Sequence, residues 1–161
     1  MNFLNILSNS SFLNLSDISK KLQDDNTNII YLFFPMISGY ITSAFCPMNR
    51  NDGANIKFRP PSYVFGIVWP ILYLLLGAAW VLSNSKTLYY LVLSLILCLW
   101  IIVFSCFKDK KSASWILLAS VTMCTSVIVV SSKKSQLLLT PLLGWLLFAL
   151  LMNTMDVQLS L

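Results

Sequence analysis

The stretch that decides the fold is FRPPSYVFGIVWPILYLLLGAAWVLS, residues 58–83. It begins with a charged residue, Arg59, and two prolines, and every residue from Pro61 to Ser83 is uncharged. Proline suits the first turn of a helix, because the N–H that it lacks would have no partner there. An uncharged helix of about 20 residues crosses a hydrocarbon core of about 30 Å. Residues 61–83 are therefore predicted to form a transmembrane helix.

Four other segments share this length and lack of charge: residues 29–48, 87–107, 114–130 and 137–155. The chain is 57% hydrophobic, whereas soluble domains are roughly 45–50% apolar. Long helices of a soluble protein would carry a polar face. Membrane-spanning strands are about ten residues long and alternate in polarity, which runs such as 91–97 do not. The predicted fold class is an all-α integral membrane protein, a five-transmembrane-helix bundle over residues 29–158.

The charges exclude several kinds of function. The net charge is +5, but the basic residues are spread over all the loops and form no patch for nucleic acid. Five of them would lie on one face of the bundle and six on the other, so the positive-inside rule does not decide the orientation. Without histidine, a zinc site and a histidine-ligated haem are excluded. The four cysteines form no C-x-x-C pair and are predicted to be small packing residues.

Residues 1–28 differ in composition from the rest of the chain. They mix asparagine, serine and aspartate with isolated apolar residues. They show no clear secretory signal, and the lack of arginine argues against a mitochondrial transit peptide. Two interpretations stay open for this extension: an amphipathic helix on the membrane surface or a disordered tail.

Aromatic residues follow the helical repeat in the second span. At about 100° per residue, Phe65, Trp69, Tyr73 and Trp80 fall within roughly 80° of arc, with glycines beside them. Similar stripes occur in the third span (Trp100, Phe104, Phe107) and the fifth (Pro141, Trp145, Ala149, Met152, Asp156). Such stripes indicate either helix packing or an aromatic-lined pocket.

Two motifs resemble a known family. Residues 58–73 read Phe-Arg-Pro-Pro-x-x-Val-Phe-Gly-x-Val-Trp-x-x-Leu-Tyr, which resembles the signature of the translocator proteins, also called tryptophan-rich sensory proteins or peripheral benzodiazepine receptors. Residues 138–153, LLTPLLGWLLFALLMN, are similar to the family's Leu-Leu-x-Pro-Tyr-Leu-x-Trp-x-x-Phe-Ala followed by Leu-Asn. A weaker match covers residues 35–45. The resemblance extends over residues 29–158.

The resemblance implies five transmembrane helices, usually as a homodimer, with a pocket between the helices under the first loop. It implies no required cofactor, and porphyrins such as protoporphyrin IX or haem as ligands. Cholesterol and synthetic drugs are the ligands of animal members. The expected membrane is the cytoplasmic membrane in bacteria and the mitochondrial outer membrane, or the endoplasmic reticulum, in eukaryotic cells. Carried onto this chain, the ligand-binding residues are Phe65, Gly66, Trp69, Tyr73, Trp100, Trp145, Ala149 and Asn153.

The chain also departs from the family pattern. The first loop is short and lacks the usual Trp-Tyr pair, and Phe58 replaces the tryptophan before Pro-Pro. Apolar residues replace polar ones of the family at Leu93, Leu97, Ile116 and Leu142, and their loss is expected to remove polar contacts. The sterol-recognition pattern is missing because Thr154 stands where tyrosine would be. Such patterns are weak guides, but this one's absence makes sterol a less favoured ligand.

Three functions remain open. The first is a receptor that binds a planar apolar ligand, whose propionates Arg50, Lys57 or Arg59 would meet. The second is a membrane scaffold or regulatory protein that keeps the fold without the ligand. The third is light-dependent porphyrin breakdown, for which Trp69 and Trp145 are the candidates, since the chain offers no conventional catalytic residues.

Overall fold

The computed structural model describes residues 15–48, 56 and 59–159, and within these ranges the regular structure is entirely helical. A short helix, α1, spans Leu15–Asp24. The long helices that follow are α2 (Thr27–Phe45), α3 (Ser62–Leu82), α4 (Thr87–Ile101), α5 (Lys110–Val130) and α6 (Lys133–Leu159). A 3-10 turn, Asn84–Lys86, leads into α4, and a π-helical turn, Ile102–Cys106, extends its end.

Among the described residues, five helices are long and apolar enough to cross a membrane: α2, α3, α4 with its flanking turns, α5 and α6. The predicted all-α five-helix bundle is confirmed. The observed ends differ from the predicted spans by a few residues, most clearly in α6, which reaches from Lys133 to Leu159. The helices α5 and α6 begin at Lys110 and Lys133 and so include charged residues that the predicted spans leave out.

The five spanning helices form a closed ring. Around it, α2 packs on α3, α3 on α6, α6 on α5, α5 on α4, and α4 back on α2. The helices α3 and α6, which carry the two sequence motifs, are therefore neighbours although α4 and α5 separate them along the chain. This arrangement brings their aromatic stripes to the same side of the bundle.

The tightest contact of the ring joins α2 and α3. A Cβ atom built on Gly77 would lie only 1.9 Å from the backbone oxygen of Leu32. Close to this crossing, the ring of Trp80 stacks on Tyr31 at 5.0 Å and on Tyr90 at 5.8 Å. Small residues that let helix backbones approach are typical of membrane bundles. Of the two interpretations left open for the stripe that Trp80 shares with Trp69, Trp80 supports helix packing, because it packs in this half of the core.

Buried hydroxyl groups close the same end of the bundle. The hydroxyls of Ser83 and Ser135 share a hydrogen bond of 2.9 Å, and Ser135 Oγ donates to the backbone oxygen of Ala79 at 3.0 Å. Tyr90 and Ser131 share another hydrogen bond of 2.8 Å. Since the last carbonyls of a helix have no partner within the helix, these hydroxyls help to satisfy the end of α3.

The helix α1 lies against this closed end. Lys21 Nζ donates to the backbone oxygens of Val81 and Leu82, at 3.3 and 3.2 Å, and Asp17 forms an ion pair with Lys134. A cation at the C-terminus of a helix also interacts favourably with the helix dipole. Residues 15–24 of the N-terminal extension are thus helical and docked, while residues 1–14 lie outside the described part of the chain.

We expect Gly77→Ala to destabilise the bundle, because the new methyl group would overlap backbone that cannot rotate away. Overpacking of a well-packed site costs about 1–3 kcal/mol. The matched control is Gly144→Ala, where an added Cβ meets nothing within 4 Å. Thermal unfolding in detergent should show a lowered midpoint for Gly77→Ala and an unchanged or higher one for Gly144→Ala. Equal midpoints would contradict the close approach of α2 and α3.

Candidate ligand-binding cavity

A cavity of about 680 Å³ lies in the half of the bundle opposite α1. Its wall is formed by the ends of α2, α4 and α6, the start of α3, and three residues of the first connection: Met48, Ile56 and Arg59. No lining residue comes from α5. Ligand pockets in proteins have volumes of about 300–1,000 Å³, so this space has the size of a small-molecule site.

Aromatic rings form a continuous wall around Trp69. The ring of Trp69 lies 5.5 Å from Tyr73, 5.5 Å from Trp100 and 6.5 Å from Trp145, measured between centroids. Trp145 in turn contacts Phe65 at 5.7 Å. Three helices therefore supply one connected set of rings. Offset and edge-to-face contacts at such distances stabilise aromatic pairs, so the wall is held by its own packing.

The sequence-derived site residues come together in this cavity. All eight line it: Phe65, Gly66, Trp69, Tyr73, Trp100, Trp145, Ala149 and Asn153. Their role in binding a ligand stays a prediction. Of the stripe residues, Phe104, Met152 and Asp156 also line the cavity, whereas Phe107 and Pro141 do not.

The π-helical turn at the end of α4 shapes one edge of the cavity. Phe107 N–H donates to Ile102 O, and Asp109 N–H donates to Val103 O, each at 3.2 Å. The widened turn carries Phe104 on the cavity side. Lys108 follows with a φ of 53°, the left-handed conformation that reverses the chain toward α5. Single π-helical turns are frequent at functional sites.

The N-terminus of α5 begins directly after this reversal. The Asp109 side chain accepts a hydrogen bond of 3.0 Å from the Ser112 backbone N–H. Hydrogen bonds from the Ser112 side chain and backbone lower the pKa of Asp109 below its ordinary value. The carboxylate therefore stays charged at the helix N-terminus, where a negative charge is favourable.

A polar corner borders the cavity near this helix start. Asp156 forms an ion pair of 2.7 Å with Lys110, and its side chain is only 8% exposed. Asn153 Nδ2 donates to Lys110 O at 3.0 Å and to Ser114 Oγ at 2.9 Å. Both Asn153 and Asp156 line the cavity. The corner joins α6 to α5. It gives the mostly apolar cavity wall an edge whose polar side chains are held in place by hydrogen bonds and an ion pair.

Among the described residues, Arg59 is the positively charged residue that lines the cavity. Its guanidinium lies 5.7 Å from the centroid of Phe65, which is a cation–π distance. Arg50 and Lys57, which were also predicted to meet propionates, lie outside the described residues. Arg59 thus places a positive charge at the end of the aromatic wall.

Several polar atoms of the cavity residues have no hydrogen-bond partner within the described structure. They are the indole nitrogens of Trp69, Trp100 and Trp145, the hydroxyl of Tyr73 and Oδ1 of Asn153. Each unpaired buried group costs about 1–3 kcal/mol. These atoms are also covered by neighbouring protein atoms, so a ligand would reach them only after a rotation of the side chains. Hydrogen-bonding potential is therefore concentrated around the cavity.

The apolar departures from the family pattern lie elsewhere. Leu93, Leu97 and Leu142 are fully buried in the core and do not line the cavity. Ile116 is partly buried and also lies away from it. The chain thus has no polar side chain at these positions, and none of them lines the cavity. Their effect on ligand binding stays a prediction.

Two of the four cysteines are not simple packing residues. Cys46, at the end of α2, forms a disulfide with Cys106, at the end of the π-helical turn, with Cα atoms 5.1 Å apart. Cys98 and Cys124 are free. The prediction that Cys46 and Cys106 are only packing residues is wrong, because they form this bond. Their separation of 60 residues gives no C-x-x-C spacing that could have predicted it. A signal was present: both cysteines end spans that reach the same membrane face.

Fold and site together define a multi-pass helical membrane protein with an internal, aromatic-walled cavity. Comparison with known proteins agrees with this class. The sequence model of the TspO/MBR family matches residues 29–156. The chain is also 33% identical over 107 residues to the tryptophan-rich protein TspO of Archaeoglobus fulgidus, an alignment that covers 60% of this chain and 69% of that protein. The chain belongs to the TspO/MBR family.

We expect Lys110→Met to destabilise the bundle, because it leaves the Asp156 carboxylate buried without its cation. Removing one partner of a buried ion pair costs about 3–5 kcal/mol, and partial exposure of Lys110 reduces this to roughly 1–3 kcal/mol. Thermal unfolding would measure the loss, with the exposed neighbour Lys111→Met as control. Combining Lys110→Met with Asp156→Leu should restore much of the stability. A double variant that is no better than Lys110→Met would contradict the pairing.

Proposed function

We propose that this protein is a membrane receptor that binds a flat, apolar ligand of the porphyrin class in the cavity. The observation that carries the proposal is the connected set of rings from three helices around a space of about 680 Å³. Flat aromatic walls suit a flat macrocycle, since stacking gains contact over its whole face. Protoporphyrin IX or haem is the proposed ligand.

We call the part of the cavity wall formed by the ends of α2 and α4 and by Arg59 the mouth of the cavity. The charge at the mouth supports the same ligand class. Arg59 lies at one end of the aromatic wall, where a guanidinium can pair with a carboxylate in a strong, charge-assisted hydrogen bond. A porphyrin carries propionates at one edge, so its macrocycle would point inward and its carboxylates outward. A sterol has no such group, and synthetic drug ligands remain secondary candidates.

The preserved cavity also argues against the scaffold alternative. A protein that kept only its fold would gain stability by filling the space with large side chains, because cavities in a core are destabilising. Here Gly66 and Ala149 keep the wall open, and a Cβ on Gly66 would meet nothing within 4 Å. Small residues at these positions are what a bound ligand requires.

We expect Gly66→Leu to weaken porphyrin binding at least about tenfold, a loss of about 1.4 kcal/mol, by filling the cavity. The variant should fold normally, because the site has space for the side chain. Titration of protoporphyrin IX, followed by its absorption spectrum in detergent or nanodiscs, gives the affinity. Gly144→Leu is the control, since Gly144 has equally open surroundings but does not line the cavity. Equal affinities of the two variants would refute the assignment.

Light-dependent porphyrin breakdown is a second candidate, favoured by the contact of redox-active rings in the wall. Trp69 touches both Trp100 and Trp145, so an electron removed from one indole could be shared among neighbours. A porphyrin in the cavity would lie directly beside this cluster. The light-excited porphyrin would give one electron to molecular oxygen, and the resulting superoxide would add to the porphyrin radical cation and open the ring, so that both oxygen atoms enter the product. The neighbouring indoles would share the positive charge reversibly while superoxide adds.

Illumination of the porphyrin complex should then bleach the porphyrin absorption band faster than illumination of free porphyrin. Trp69→Phe and Trp145→Phe should slow the bleaching, because phenylalanine keeps a ring but is hard to oxidise. Trp115→Phe is the control, as Trp115 is 67% exposed on the outer surface. Identical bleaching rates in all of these samples would eliminate this activity and leave binding untouched.

The homodimer implied by the family resemblance is part of the proposal. The outer face of α2 carries exposed large apolar residues such as Ile30, Ile37 and Ile41, which lipid or a second copy can cover. Mass determination in nanodiscs would distinguish one chain from two.

A further inference from the structure

We propose that the Cys46–Cys106 disulfide is a redox-sensitive latch at the mouth of the cavity. In the oxidised state it holds the end of α2 against the end of α4. In the reduced state these two ends can separate and the mouth widens. The structural part of this proposal stands alone, while its effect on porphyrin exchange rests on the proposed function.

The position of the bond is the first argument. Cys46 follows Ser43 by one helical turn and precedes Met48, and both of these residues line the cavity. On the other side, Cys106 follows Phe104, which also lines the cavity. The bond therefore joins two segments of the cavity wall that belong to different helices.

The second argument is that the last part of α2, beyond Gly39, packs loosely against the rest of the bundle. Of the five spanning helices, α2 is the least buried. Inside the protein, 17% of its most apolar stretch is buried, compared with 28–44% for the other four helices. Its close packing lies further back, where Leu32 meets Gly77 and where Gly39 meets Tyr73. Beyond Gly39, the exposed residues Tyr40, Ile41, Ala44 and Phe45 dominate. A covalent bond at the end of this segment replaces packing that the segment lacks.

Access to the bond is the third argument. Cys106 is exposed, although Cys46 is only 6% exposed. Lys108 and Asp109 follow Cys106 directly and are exposed as well, so this end of α4 lies at the water interface. A water-soluble thiol can reach the Cys106 side of the bond without entering the bilayer. Accessible disulfides are the ones that serve regulation.

The chemistry is thiol–disulfide exchange. The thiolate of a dithiol attacks the disulfide, forms a mixed disulfide with one cysteine and releases the other as a thiolate. The second thiol of the reductant then closes its own disulfide and releases the first cysteine. Two electrons and two protons pass from the dithiol to the protein, which gains two thiols and loses one S–S bond.

The first measurement counts thiols in the full chain in lipid nanodiscs. Protein purified without reductant should show two alkylated cysteines after denaturation, Cys98 and Cys124. Incubation of the folded protein with dithiothreitol before denaturation should raise the number to four. Four alkylated cysteines in the untreated, air-oxidised protein would show that the bond does not form and would overturn the proposal.

The second measurement is hydrogen exchange of the peptides that cover residues 40–48 and 101–108. Reduction should accelerate exchange there by on the order of tenfold, because the loss of the cross-link lowers the free energy of local opening. A tenfold change corresponds to about 1.4 kcal/mol. Cys46→Ser should exchange like the reduced protein, and Cys98→Ala like the oxidised one. Unchanged exchange on reduction would overturn the latch even if the bond exists. Reduction of the unmodified chain keeps the test valid if Cys46→Ser does not fold.

The third measurement is the dissociation rate of protoporphyrin IX. Reduction should raise this rate by about tenfold, because an opened mouth lets the ligand leave faster. The absorption spectrum of the bound porphyrin should change less, because its contacts in the cavity stay the same. Binding with equal rates in both redox states would overturn the gating role. Failure of either form to bind porphyrin would instead refute the proposed function, and hydrogen exchange would still decide whether the latch exists.

Discussion

A hydrocarbon interior offers no water to backbone N–H and C=O groups, and every element of this bundle follows from that constraint. The five spans are continuous helices because only helices satisfy their backbone internally. Hydroxyl groups within the spans, such as those of Ser94 and Ser120, bond to the backbone of their own helix, and the side-chain hydrogen bonds between elements gather where the helices end. Ser83 and Ser135 serve the end of α3, Lys21 reaches the carbonyls of the same turn, and Asp109 caps α5. Among the described residues, polar contacts between helices are thus concentrated at the two ends of the molecule.

The two ends use this chemistry differently. At the α1 end, Gly77 permits backbone contact between α2 and α3, and the serine hydroxyls fill the remaining space. At the opposite end, indole and phenol rings occupy the positions between α3, α4 and α6. Large flat rings that stack on one another cannot fill a space as densely as interlocking aliphatic chains, and a cavity remains. The packed half gives stability, and the aromatic half leaves an open cavity.

The sequence predicted the fold because length and lack of charge decide a transmembrane span almost alone. It also predicted the cavity residues, since Trp69 and Trp145 occupy matching positions in motifs whose helices turn out to be neighbours. The sequence alone did not reveal the features that depend on which helices are neighbours in the bundle. Trp80 shares a face with Trp69 by periodicity, yet its distance along α3 places it in the other half. Leu93 and Leu97 stand at polar positions of the family pattern, and in the structure both are fully buried in the apolar core. Cys46 and Cys106 find each other only through the ring order of the helices.

The separation of those two cysteines bears on how the protein is made. The chain is synthesised from its N-terminus, so Cys46 enters the membrane region long before Cys106, 60 residues later. Once α4 has been inserted, the bond can close while α6 is still being translated. The wall that carries Trp145 is added last, to a frame of α2, α3 and α4 in which this bond can already have closed. Biosynthetic order therefore favours an open half-cavity that is completed by the final helix.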